Sequence, residues 1–219
     1  MKRLEIDFVR EKMLPNLRLT GKILEIGSGA CWLSSLIKLT RPETFVVASD
    51  VSPSALRKGE KLSRFLNSRI DAYVACKIES LPFETKFFDY VVGSAVLHHT
   101  RPQEALIQIS RVLKKDGKFV GTGETVIPRA FTAIWKSKLG LAGRRERNLG
   151  VKEGTYSFEQ WKRFFNDTSF KSVRFSPRMD PKYKPSNGLT GAYFLIASHV
   201  PDTFVLRHLP CVAILLAAK

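Results

Sequence analysis

Short apolar runs recur along the first half of the chain, each separated from the next by a stretch with helical spacing. The runs are Ile23 to Ile26, Phe45 to Ala48, Asp71 to Ala75, Phe88 to Gly93 and Phe119 to Gly121. Between them lie Trp32 to Leu39, then a helix carried by Leu56, Leu62, Phe65 and Leu66. A third helix opens at Pro102 and sets Ala105, Leu106, Ile109, Val112 and Leu113 on one face. Runs that are apolar on both faces suit strands covered on both sides, and strands alternating with helices predict a parallel α/β sheet. Lys115 to Lys118 reads as the turn into the fifth strand. Leu4, Phe8, Val9 and Met13 give a weak helix over residues 4 to 14, ended by Pro15.

The pattern loosens after Gly123. Ser157-Phe158-Glu159-Gln160 is a capping box, which predicts a helix with Phe158, Trp161, Phe164 and Phe165 toward the core. Ser172 to Phe175 reads as a strand, residues 176 to 188 as a loop, Thr203 to Leu209 as a short helix, and Cys211 to Ala217 as a final buried strand.

The chemistry gathers at two junctions. The first apolar run breaks into Gly27-Ser28-Gly29, a glycine turn leading into a helix. Glycine lets a ligand approach the backbone, and the amides that open a helix favour an anionic guest. The second run ends at Ser49-Asp50, about twenty residues on, where an acidic residue in a nucleotide-binding βαβ unit takes the ribose hydroxyls. Helix capping is the plainer role for Asp50, but Ser52-Pro53 already supplies a good cap and first helical residue.

Composition adds a partner question. The chain has 219 residues, 44% of them hydrophobic, enough for one substantial core, and a formal net charge of +16. Such charge favours an anionic partner or surface: nucleic acid, an acidic small molecule or a lipid headgroup layer. A solvated basic face serves no partner and is the alternative. Three cysteines, Cys31, Cys76 and Cys211, have no paired spacing, which argues against a disulfide framework or zinc site and for a reducing cytoplasm. Met1 to Arg18 lacks the apolar region of a signal peptide, and no stretch approaches a membrane span. The expected location is cytoplasmic, with a membrane-peripheral position left open.

From Lys22 to Val120 the chain resembles the class I S-adenosylmethionine-dependent methyltransferases, in particular the small-molecule, type 11-like branch. The matching pieces are Leu24-Glu25-Ile26-Gly27-Ser28-Gly29, Asp50, Leu81-Pro82-Phe83 before Phe88-Asp89, Val96-Leu97-His98-His99, and Arg111 to Gly117. The resemblance implies a Rossmann-like, seven-stranded, mostly parallel sheet with helices on both faces and an antiparallel last strand. It implies a single domain over 1–219: a helical cap (1–20), a cofactor-binding core (21–123), a basic insertion (124–156) and C-terminal, acceptor-side elements (157–219). The implied cofactor is S-adenosylmethionine, and the implied binding set is Glu25, Gly27, Ser28, Gly29, Asp50, Val51, Ile78, Glu79 and Ser94. Glu25 and the glycines would shape the methionine pocket, Asp50 would bind the ribose, Ile78 would lie beside the adenine, and Ser94 and Ala95 under the methionine or the transferred methyl. Cys31 stands where the family usually has a third glycine. Lys77 stands where an aspartate often accepts from the adenine amino group, a task left to Glu79 or a backbone carbonyl. A nicotinamide-dinucleotide site fits less well, because Trp32 holds the position of its third glycine.

Methyl transfer needs alignment first, and a base only where the acceptor must lose a proton. His99, with His98 beside it, is the candidate base, the alternative being a packing or capping role. No metal set is visible. The expected acceptor is a small molecule. The basic segment with Arg129, Phe131, Trp135, Lys136, Lys138, Arg144, Arg145, Arg147 and Lys152 leaves RNA or a lipid- or quinone-like acceptor at a membrane surface open. A non-catalytic, methyltransferase-like binding subunit is the rival reading.

Overall fold

The computed structural model describes residues 6–133, 154–179 and 188–219, with the side chains of 188–190 excepted. Most of the basic segment, and most of the loop expected over 176 to 188, lie outside the described residues. Seven strands form one sheet in the order β3-β2-β1-β4-β5-β7-β6. They are β1 Lys22–Ile26, β2 Phe45–Asp50, β3 Ala72–Ala75, β4 Phe88–Ser94, β5 Leu113–Val126, β6 Ser172–Pro177 and β7 Cys211–Ala218. The first five run parallel, and β7 is antiparallel to both β5 and β6, as expected. Among the described residues the α-helices are α1 Trp32–Thr40, α2 Pro53–Leu66, α3 Pro102–Val112, α4 Phe158–Phe164, α5 Gly188–Ala197 and α6 Asp202–His208.

Strand alternation divides the apolar residues between two cores. Ile23, Val46, Ala48 and Val92 pack with Leu33 and Ile37 of α1, Leu56 of α2, and Phe8, Val9 and Met13 of an N-terminal helical turn. Leu24, Ile26, Val47 and Val91 face the other way, against Leu106 and Ile109 of α3, Trp161 of α4 and Leu206 of α6. Successive side chains on a strand point to opposite faces, so an uninterrupted apolar run is what a sheet covered on both sides requires.

Several expectations need correction. Phe65 is 86% exposed and Leu66 37% exposed, so they do not carry α2. Its buried face is Leu56, Gly59 and Ser63, because α2 crosses so close to α1 that a Cβ on Gly59 would stand 2.3 Å from Cys31 Sγ. The fifth strand extends well beyond Phe119 to Gly121. Leu113 pairs with Phe88 and Lys118 with Tyr90, so residues 114 to 117 stand opposite Asp89 alone; the chain turns out of register there, at left-handed Asp116 (φ 68°), but inside the bounds of one strand and not ahead of it. Helix α5 has no counterpart among the elements expected from the sequence. The capping box of α4 is present in full, and Ser52 Oγ caps α2 ahead of Pro53.

One buried cation fastens the back of the sheet. Lys38, on α1 and 8% exposed, donates to Pro42 O (3.0 Å), Thr44 O (2.7 Å) and Asp71 Oδ2 (3.1 Å). Asp71 also accepts from Val46 N at 2.7 Å, which ties the start of β2 to the start of β3. No helix among the described residues is long and apolar enough to cross a membrane.

Candidate functional site

Strand order reverses at β1, whose chain continues outward to β2 on one side while β4 lies on the other. Ligands of open α/β sheets bind outside the carboxyl ends of the strands at such a point. Here the chain leaves β1 through Gly27 (φ 58°) and Gly29 (φ 51°), both left-handed. A Cβ on Gly27 would meet Val96 Cγ2 at 2.1 Å, so the loop after β4 packs directly on this backbone. Nothing lies within 4 Å of the corresponding point on Gly29, which faces open space. Gly29 N donates to Asp50 Oδ2 and Ser52 N to Asp50 Oδ1, each at 2.8 Å. One carboxylate thus holds the glycine turn against the entrance to α2. A carboxylate has about four acceptor positions, so capacity for two more donors remains.

Glu25 works underneath. It is 1% exposed, and its Oε2 accepts from Ser34 N at 2.8 Å and from Ser34 Oγ. Residue Cys31 precedes α1 in a left-handed conformation with no side-chain cap of its own, so Glu25 satisfies an orphan amide of that helix from β1. Burial pushes the Glu25 carboxyl from 4.5 up to about 8, against the Ser34 hydrogen bonds, which pull it down. A folded-state value above the unfolded one means that the native chain holds this proton more tightly. Its stabilising effect is complete below pH 4.5 and is lost as pH rises through about 8. Glu25→Gln carries no such proton. Urea melts from pH 5 to 8 are therefore expected to show the wild type losing stability relative to the variant as pH rises. The loss should reach a few kcal/mol in all, since each tenfold gain in proton affinity on folding is worth about 1.4 kcal/mol. A constant gap over that range would refute the buried-proton account. Cys31 is fully buried, and burial pushes its thiol up to about 11, so it packs as a small apolar group and is no nucleophile at neutral pH.

The loop after β4 is organised by a residue that sequence reasoning missed. Glu124 of β5, wholly buried, accepts from Val96 N (3.0 Å), Leu97 N (3.0 Å) and His98 N (3.1 Å), and pairs with His98 Nδ1 at 2.7 Å. Burial by itself would raise this carboxyl, but His98 and the loop amides outweigh it and hold the value below 4.5. The available signal was a lone carboxylate inside an otherwise uncharged strand segment, Val120 to Val126. His98 is buried and His99 exposed, with ring centroids 4.1 Å apart. Both line a cavity of about 510 Å³ together with Glu79, Arg101, Tyr156 and Phe164.

The expected binding residues fall into three groups. Gly27, Ser28, Gly29, Asp50 and Ser94 meet at the carboxyl ends of β1, β2 and β4, with Glu25 beneath. Val51 lies beside Asp50 and is 67% exposed. Ile78 belongs to the core beside Leu81 and Leu106, and Glu79 accepts from Arg101 N at 3.0 Å, on the side of the His98 cavity. The Lys77 side chain is exposed. Among the described residues no group of His, Cys, Asp or Glu could hold a metal ion.

Comparison with known proteins agrees with this geometry. Residues 24–121 match a family model described as "Methyltransferase domain". Malonyl-[acyl-carrier protein] O-methyltransferase of Herminiimonas arsenicoxydans is 31% identical over 109 residues, which is 50% of this chain and 39% of that protein. Ubiquinone/menaquinone biosynthesis C-methyltransferase UbiE of Xylella fastidiosa is 32% identical over 101 residues, 44% of this chain and 40% of that protein. The chain therefore matches about two fifths of the length of these curated relatives. The crystal structure of YcgJ from Bacillus subtilis superposes with a TM-score of 0.66 at 16% identity, covering 100% of this chain and 99% of that one, a likeness of fold. With its glycine turn and its strand order, the matched core of residues 24–121 is similar to the class I S-adenosylmethionine-dependent methyltransferases.

Proposed function

We propose that this chain transfers a methyl group from S-adenosylmethionine to a small acceptor. The observation that carries the reading is the glycine turn with an open face at Gly29, tied to Asp50 at the sheet's switch point. The residues fit the cofactor. Side-chain-free backbone offers room for its amino-acid end, and Asp50 keeps acceptor capacity for a vicinal diol. Asp50 would hold the ribose, the Gly27 to Gly29 backbone the methionine part, and Ile78 the edge of the adenine. S-adenosylmethionine supplies an electrophilic methyl on a cationic sulfur, so the protein's task is chiefly alignment.

The acceptor side is the cavity lined by His98 and His99. His99 is exposed and can pass a proton to solvent, which makes it the base for an acceptor that must lose one. His98 is clamped by Glu124 and fixes the loop that carries His99. Calorimetric titration with S-adenosylhomocysteine and S-adenosylmethionine tests the reading. Saturable binding of both in the micromolar range is expected, and absence of heat at millimolar ligand would end it.

A further inference from the structure

We propose that a second cavity, lined by Arg129, Arg163 and Arg207, is an anion site that takes the phosphoryl or diphosphoryl group of a small molecule. It has a volume of about 520 Å³ and lies where three elements converge. Arg129 stands in the short turn that follows β5, Arg163 on α4 and Arg207 on α6. Guanidinium groups are charged at any working pH, and their planar forks match phosphate oxygens in pairs. All three are exposed, and together they give this space a positive potential that favours an anion.

Among the described residues, the protein's own carboxylates do not fill that role. Glu159 is the acidic residue in the lining, and it is committed to Lys162 at 2.7 Å. Arg207 Nε stands 3.9 Å from Glu159, beyond hydrogen-bonding distance. Arg129 and Arg163 make no ion pair among the described residues. Three cations thus face one carboxylate that a fourth cation already holds, and a ligand carrying two or more negative charges restores the balance. A phosphoryl group at neutral pH carries close to that charge.

The walls narrow the class further. Phe158 and Pro128 give the cavity apolar surface for an organic remainder. A pocket of this size suits a small molecule, whereas a polynucleotide is held along a groove that tracks its backbone. The site also adjoins the His98 cavity. Tyr156 and Phe164 line that one, while Ser157, Phe158 and Arg163 line this one, so a single stretch of chain separates them. That the bound group is the anionic end of the methyl acceptor rests on the methyltransferase reading; the anion site does not.

The test is calorimetric titration of the full chain with inorganic pyrophosphate and with orthophosphate at about 150 mM salt, close to physiological ionic strength, repeated on Arg163→Gln and Arg207→Gln. One saturable site is expected, tighter for pyrophosphate and weakened at least tenfold in each variant, with S-adenosylhomocysteine affinity unchanged. Where a glutamine variant lowers the melting temperature, Arg163→Lys decides, since it keeps the charge and loses the fork: a several-fold loss supports the site and an unaltered affinity overturns it. Absence of pyrophosphate binding overturns it, as does equal affinity in both glutamine variants and the wild type. So does an RNA oligonucleotide that binds through these arginines when pyrophosphate does not. Pyrophosphate binding that persists while S-adenosylhomocysteine fails to bind leaves the anion site standing and removes the methyltransferase reading alone.

Discussion

Replacing Glu124 by alanine is expected to destabilise the fold by about 3–5 kcal/mol, as removal of one partner from a buried ionic cluster does. The carboxylate accepts from three consecutive loop amides and from His98 Nδ1, all away from solvent. Alanine leaves those donors without an acceptor where water cannot replace it, and each such loss costs about 1–3 kcal/mol. For a chain of this size the melting temperature should fall by about 6–20 °C. Glu124→Gln keeps one acceptor oxygen but turns an NH2 toward amide donors, so an intermediate loss is expected. The sign with pH follows from the lowered value of this carboxyl. Its contribution is complete above pH 4.5 and disappears as pH falls through the depressed folded value, so wild type and Glu124→Ala should converge in acid. Denaturation midpoints measured from about pH 3 to neutrality check both statements. Equal midpoints at neutral pH would show that the loop stands without its carboxylate.

Asp50→Ala should weaken S-adenosylhomocysteine binding by about 100-fold. Hydrogen bonds to a charged group are worth about 1.5–3 kcal/mol each, and two to a ribose diol would account for that factor. The substitution also frees Gly29 N and Ser52 N, so part of the loss would come from a loosened turn. Asp50→Asn separates the two contributions. Its carbonyl can keep one amide while its NH2 confronts the other, so the turn suffers in both variants but the diol loses less in asparagine. Calorimetry on both, with melting curves as controls, reads the difference. Unchanged affinity in Asp50→Ala would remove the ribose assignment and leave Asp50 as a clamp on the turn.

Much of the fold was legible because burial on both faces leaves little room for polar residues. Ile23 to Ile26 and Phe88 to Gly93 announce strands by that property, and Ser157 with Gln160 announces α4 by its cap. Helix α5 escaped because Gly188 to Ala197 has no charged face to set against its apolar one, so periodicity has nothing to register. Phe65 misled for the opposite reason: spacing placed it on a helix, but the side facing α1 is chosen by the absence of a side chain at Gly59. At the site, Gly27, Gly29 and Asp50 were visible because their residue types are rare answers to a local backbone demand. Glu124 was not, since its partners sit 26 to 28 positions earlier and meet it only once β4 and β5 pair.

Lys38 carries a chemical corollary. An ammonium has three N–H bonds, and here all three end on fixed oxygens around a buried nitrogen, so no side of it is left for another molecule to approach. Acylating reagents must reach that nitrogen. In the folded chain Lys38 is thus silent toward them, and its reactivity becomes a clock for how often the back of the sheet comes apart.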